Sequence, residues 1–440
     1  MDPRAVCAAA ACLLAAAPAQ PRDPQIADMV ASVSSERLIA TEAALVGFGT
    51  RNDFSETAST ATHGVFAARD WIREQFESIA ATSGGRMTVS LDTYLQPKTE
   101  RTPRDVTESS VIATLQGDAP GPVYVLSSHY DDCNGDCTDG TREAPGADDN
   151  GSGVAAVLEA ARVMAPHHFR GTIVFATFDG EELGLWGSQH FADELKAKGT
   201  NVAAVLNNDI IGSTAGGDGV HEPHVIRVFS EALPPGTDPA RVNAAGSEND
   251  SPSRELSRFA AAIVPQYVDL DVREIWRADR FLRGGDQESF QADGFPAVRF
   301  VEAHENFAHQ HQDVRAENGV QYGDLPRFID AAYLARATQA NVAALAALAL
   351  APPAPAHAQL VMKHLGYDST LRWEASPGAS GYEIVWRATT AKDWEHGQAV
   401  GNVTAATVPV GKDDFILGVR ALDAQGHASM ASYPVAVREK

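Results

Sequence analysis

From about Met87 onward, apolar runs of strand length alternate with segments whose apolar residues recur at helical spacing. The runs are Val111–Leu115, Val123–Ser127, Ile173–Phe178, Ala203–Leu206 and Ala297–Val301. The helical segments include Val154–Met164, Gly187–Lys198 and Pro326–Ala349. Ahead of them, residues 24–82 carry helical spacing broken by short polar stretches, with an amphipathic helix predicted over Gly64–Ile79. Strands alternating with helices predict an α/β fold: a three-layer sandwich around a mostly parallel, mixed central sheet. The stretch Ala215–Arg254, rich in Gly, Pro and Asp, reads as an inserted surface excursion over that sheet. Residues 351–358, APPAPAHA, read as a stiff Pro/Ala linker. Beyond it, evenly spaced short runs (Leu371–Trp373, Gly381–Arg387, Thr404–Val408, Phe415–Leu422) predict a small C-terminal β-sandwich over 359–440.

At 440 residues the chain calls for two domains. Its formal charge of −23 excludes nucleic acid as a partner, since phosphates demand a basic footprint, and argues against anionic membrane surfaces. Arg4, an apolar run Ala5–Ala17 and then Ala17-Pro18-Ala19 have the order of a secretory signal over 1–19. The run is too short to span a bilayer, and no later segment approaches ~20 uninterrupted apolar residues. A secreted or periplasmic protein without a membrane span is expected. Cys7 and Cys12 would leave with the signal; Cys133 and Cys137, in CNGDC, are expected to pair in an oxidising compartment, clamping a loop.

The polar chemistry concentrates just after the strands, where α/β sheets bind their ligands. In Ser-Ser-His129-Tyr-Asp131, alternation puts both side chains on one face, so Asp131 can accept one ring N–H of His129 and orient it towards a metal. In Pro-Gly-Ala-Asp148-Asp149-Asn-Gly-Ser-Gly, two adjacent acids precede a Gly-rich turn into a helix. A carboxylate there could bridge two cations. In Asp-Gly-Glu181-Glu182-Leu-Gly, Glu182 is assigned as a ligand and Glu181 as the general base that takes a proton from water and delivers it to the leaving amine. Asn207-Asn208-Asp209 closes another strand with a carboxylate for the opposite metal. So many acids and imidazoles at strand ends would be costly to bury without cations to collect them.

The order His-X-Asp, PGADDNGSG, GEELGLWGS, Asn-Asn-Asp and a late histidine resembles the di-zinc aminopeptidase family, related to the transferrin-receptor-like and glutamate-carboxypeptidase proteins, over roughly residues 30 to 350. The resemblance implies a peptidase domain over 20–350 acting on peptide substrates, and two Zn2+ per chain. It implies His129, Asp148 and Asp209 on one zinc, Asp148, Glu182 and a late histidine on the other, and Glu181 as base. It also implies a cis peptide between Asp148 and Asp149. For the late ligand His311 is favoured over His309, because relatives often carry a glutamine directly before it; His304 is too close to its strand end. Gln312 and Gln287 stand where relatives have threonine and histidine, so side-chain preference does not transfer. The C-terminal runs resemble a fibronectin type III module, with structural or partner-binding use.

The expected function is hydrolysis of the N-terminal peptide bond. The alternatives are a carboxypeptidase for acidic C-termini, which a chain with few clustered arginines supports little; a glutaminyl cyclase, which uses one zinc; and an inactive binding protein, which should have lost ligands or the base.

Overall fold

The computed structural model describes residues 22–233, 237–240, 250–363 and 366–438. The expected signal segment 1–19 lies outside the described residues. One compact unit runs from Arg22 to Pro353, and a second begins at Ala354.

The first unit is built on eight strands: β1 (Met87–Gln96), β2 (Val106–Leu115), β3 (Val123–His129), β4 (Thr172–Phe178), β5 (Val202–Asn208), β6 (Val225–Ser230), β7 (Asp271–Ile275) and β8 (Ala297–Glu302). They form one sheet in the order β1-β2-β4-β3-β5-β8-β6-β7. The central strands β4, β3, β5 and β8 run parallel; β2 and β6 pair antiparallel with β4 and β8, and β1 antiparallel with β2. The fold class is the expected α/β sandwich around a mixed sheet. Both faces of the central strands are covered, which is why β3, β4 and β8 are buried along nearly their whole length rather than alternating.

On one face lie α1 (Pro24–Ala31), α2 (Ser35–Val46), α3 (Val65–Ala80) and α4 (Gly153–Met164). After α4 come the one-turn α5 (Glu181–Gly184) and α6 (Trp186–Ala197), then α7 (Pro252–Tyr267), α8 (Gln287–Ala292) and α9 (Ala331–Leu350). Helices α7 and α9 complete the first layer; α6 and α8 cover the other face, packing Ala192, Leu195 and Phe290 against Val125, Val174 and Phe178. The helix expected to begin at Pro326 instead opens with a separate 310 turn, Pro326–Phe328. The cause is Asp330, whose extended backbone and side chain, accepting from the N–H groups of Ala332 and Tyr333, make it the N-cap of α9.

The stretch Ala215–Arg254 is more than a surface excursion. It contributes β6, which joins the sheet by pairing antiparallel with β8 and parallel with β7. The second unit has a four-stranded and a three-stranded sheet that share a core of Leu371, Trp373, Ile384, Trp386, Val408 and Val419.

Candidate metal centre

Because β3, β4, β5 and β8 are parallel, their carboxyl ends lie along one edge of the sheet, and the loops leaving them supply the site. His129 ends β3 fully buried. Its Nδ1 lies 3.2 Å from the Asp131 carbonyl and 3.3 Å from Asp131 Oδ1. Asp131 Oδ2 in turn accepts the backbone N–H of Glu182 at 3.0 Å, tying the β3 and β4 loops together. The other imidazole nitrogen, Nε2, has no hydrogen-bond partner. It faces Asp149 Oδ1 at 3.4 Å, Asp209 Oδ1 at 3.7 Å and Glu181 Oε2 at 4.0 Å.

A second group faces the first across Asp149. His311 Nε2 stands 3.0 Å from Asp149 Oδ2 and 3.0 Å from Glu182 Oε2. Each oxygen of Asp149 thus addresses a different imidazole, the placement of a bridging carboxylate. Burial alone would raise its pKa, but His129 and His311 hold the carboxyl well below its usual range. His309 is elsewhere: its ring stacks on Phe328 at 3.7 Å, and burial, with Arg327, lowers it to about 4. His304 is held between Asp218 and Glu222.

The expectation that Asp148 bridges is therefore corrected: Asp149 takes that place. Asp148 turns the other way, its Oδ1 accepting the Gly212 N–H at 2.7 Å, with its carboxyl against Glu302. The cis peptide joins Asp149 to Asn150, one residue later than expected. The reason is backbone anchoring. The N–H groups of Asp148 and Asp149 both donate to Asp324 Oδ2, at 2.8 and 2.7 Å, and this fixes which of two successive side chains faces the imidazoles.

Four buried residues absent from the sequence reading support the site: Arg299, Asp279, Asp324 and Glu302. Arg299 Nη2 pairs with Asp209 Oδ2 at 3.0 Å, and its Nη1 with Asp279 Oδ2 at 3.2 Å. A guanidinium within the apolar run Ala297–Val301 was a readable signal, since a charge in a strand buried on both faces needs partners. Asp324, in a turn-like Tyr-Gly-Asp-Leu-Pro stretch, carried none.

The Cys133–Cys137 disulfide is present, and it sits beside Glu182 and His311. A cavity of about 470 Å³ opens over Asp149, Glu181, Glu182, Asp209 and His311. Arg101, Arg280 and Arg283 also line it, so arginines scattered in sequence do gather at this cavity. Arg280 is held by Asp279 and Glu305, and Arg283 Nη2 lies 3.8 Å from Asp149 Oδ2.

The donor set fits zinc. Two imidazoles and three carboxylates give mixed nitrogen and oxygen ligation. His129 Nε2, Asp209 Oδ1 and Glu182 Oε1 are buried without hydrogen-bond partners.

Comparison with known proteins is consistent with this geometry. A match to peptidase family M28 covers residues 110–333. A protein of Pyrenophora teres f. teres, described as a probable zinc metalloprotease, is 43% identical over 94% of this chain and 88% of its own length. Among solved structures, the LapA aminopeptidase of Legionella pneumophila shares the fold at a TM-score of 0.54 and 20% identity, covering 77% of this chain and 78% of that one. A glutaminyl cyclase of Macrostomum lignano does so at a TM-score of 0.54 and 16% identity, covering 75% and 94%.

Proposed function

Since the chain belongs to peptidase family M28, we propose that it is a di-zinc exopeptidase that removes the N-terminal residue of peptides. The observation that carries this reading is Asp149, set between a His129–Asp209 group and a Glu182–His311 group. In this reading His129, Asp149 and Asp209 hold one zinc, and Asp149, Glu182 and His311 the other. Zinc, when bound, supplies Lewis acidity towards a peptide carbonyl and a lowered pKa for its water.

The chain's own residues supply the rest. Glu181 borders the cavity with an oxygen 4.0 Å from His129 Nε2, beside the His129–Asp209 group; burial raises its carboxyl well above the usual range, His129 opposing and Asp209 and Glu182 adding to the rise. A basic carboxylate at that point suits a group that takes a proton from water and passes it to the leaving amine. Asp131 orients His129, and Arg299 fixes Asp209. Export is part of the proposal, supported by the disulfide. So is a fibronectin type III-like C-terminal unit, supported by two sheets closing on Trp373.

A second reading draws on the arginines at the cavity: they suit a substrate carboxylate near the scissile bond, as a carboxypeptidase would need. The test combines zinc content with hydrolysis of aminoacyl chromogenic substrates, C-terminally free acidic peptides and N-terminal glutamine peptides, for wild type and Glu181→Gln. Near two zinc ions per chain and turnover of the aminoacyl substrates are expected, with rates falling at least about 10²-fold in the variant while zinc is retained. Turnover confined to the acidic or glutamine peptides selects carboxypeptidase or cyclase chemistry. A zinc-free, inactive protein would mark a binding function.

A further inference from the structure

Behind the strand ends that carry Glu181 and Glu182, three other carboxylates are buried together. Asp53 opens the short turn Asp53–Ala58, Glu108 lies in β2, and Asp179 follows β4. None is more than 1% exposed. One oxygen from each lies within 4.8 Å of the other two.

Of their six oxygens, five take no hydrogen bond: both of Asp53, both of Glu108 and Oδ1 of Asp179. The remaining one, Asp179 Oδ2, accepts the Ser109 N–H at 2.9 Å. Other buried acids of this fold have guanidinium partners, as Asp132 has Arg51, Asp279 has Arg299 and Glu255 has Arg258, while Asp286 and Glu231 stand without one, each by itself. Here no described lysine, arginine or histidine forms an ion pair with any of the three, and the charges acting on Glu108 are the acids Asp179, Asp131 and Glu56. A proton shared between Asp53 and Asp179 would satisfy that pair alone. Glu108 would remain, entirely buried, with neither oxygen partnered.

Burying an unpaired carboxylate is costly, and three together cost more than isolated ones because each repels the others. A cation at their centre would remove that cost. We propose that Asp53, Glu108 and Asp179 hold a hard divalent cation of calcium type, distinct from the zinc centre. The donors are all oxygen, which disfavours zinc and copper. Calcium, which takes carboxylate oxygens in flexible geometry, is the type ion for such a set, since magnesium demands a near-ideal octahedron and keeps several waters.

The site's position gives it a use. It joins the 53–58 turn, β2 and the end of β4 directly behind Gly180. That glycine has φ +73°, and a Cβ there would fall 2.6 Å from Glu108 Oε2. With the three carboxylates drawn onto one ion, Gly180 is held between them and the next two residues, Glu181 and Glu182, are presented from a fixed turn.

The experiment uses the full chain with its zinc sites saturated, treated with a calcium-selective chelator, then titrated with calcium chloride. Calcium content after gel filtration and the melting temperature are read together. One calcium per chain is expected, with a rise in Tm of about 5 °C at saturating calcium. Glu108→Gln should lose the calcium and the rise in Tm while keeping its zinc content; Asp53→Asn serves as a second variant should that one not fold. Failure of calcium, manganese and magnesium alike to bind or shift Tm overturns the proposal, and assigns protons to the three carboxyls. A calcium response that survives in both variants overturns it too, by placing the ion elsewhere.

Discussion

Asp148 and Asp149 are chemically identical neighbours, yet only Asp149 faces the two imidazoles. Substitution separates them. Asp149→Asn should cost the protein most of its zinc and lower kcat/KM by at least about 10³-fold, since it removes the one carboxylate shared by both groups. Asp148→Asn should keep near-normal zinc content, because Asp148 accepts from Gly212 and lies against Glu302. Zinc analysis of the two variants checks this, and equal zinc loss in both would contradict the placement. His129, Asp131, Glu181, Glu182 and Asp209 were legible in the sequence because each follows an apolar run. The choice within the acid pair was not legible, because it depends on hydrogen bonds to Asp324, far along the chain. His311 could be favoured over His309 only by resemblance. In the fold, the ring of His309 packs on Phe328 instead.

At the level of elements, strands with uninterrupted apolar runs were the easiest to read, because strands covered on both faces need no alternation. Strand β6 escaped because its six residues lie among Gly, Pro and Asp, and its partner β8 comes about seventy positions later in the chain. Strand β8 carries a buried charge. Arg299 is fully buried between Asp209 and Asp279. Replacing it with methionine leaves buried Asp209 without its cation and Asp279 with Arg280 alone, so Arg299→Met should destabilise the fold by roughly 3–5 kcal/mol. Urea unfolding of the zinc-depleted protein measures this without interference from ligand binding. A change under ~1 kcal/mol would mean the acids find other partners.

At the scale of the whole molecule, the charge of −23 is carried by 58 acidic against 35 basic residues, and several acids are buried. Glu231, away from the metal centre, shows what this does to stability. Burial pushes its carboxyl up to about 7, with only the Ser253 hydroxyl opposing. The folded form therefore holds a proton that the unfolded chain releases near its ordinary value of about 4.3. The stabilisation is fully present below that value and is lost as pH rises through about 7. Glu231→Gln removes this titration, so its Tm should fall less steeply between pH 5 and 7 than that of the wild type; parallel pH profiles would refute the assignment.

The α/β class, the alternation that builds the sheet, and the kinds of side chain standing at its strand ends were all written in the order of residues. These follow from local patterning, which every segment carries within itself. That Asp149 and His311 turn towards the site was settled by contacts between distant segments. Such contacts also decided that Arg299, Asp279 and Asp324 brace it, and that scattered arginines meet over one cavity. The direction of Asp149 is set by backbone hydrogen bonds to Asp324, 175 positions further along the chain, and no local pattern records them.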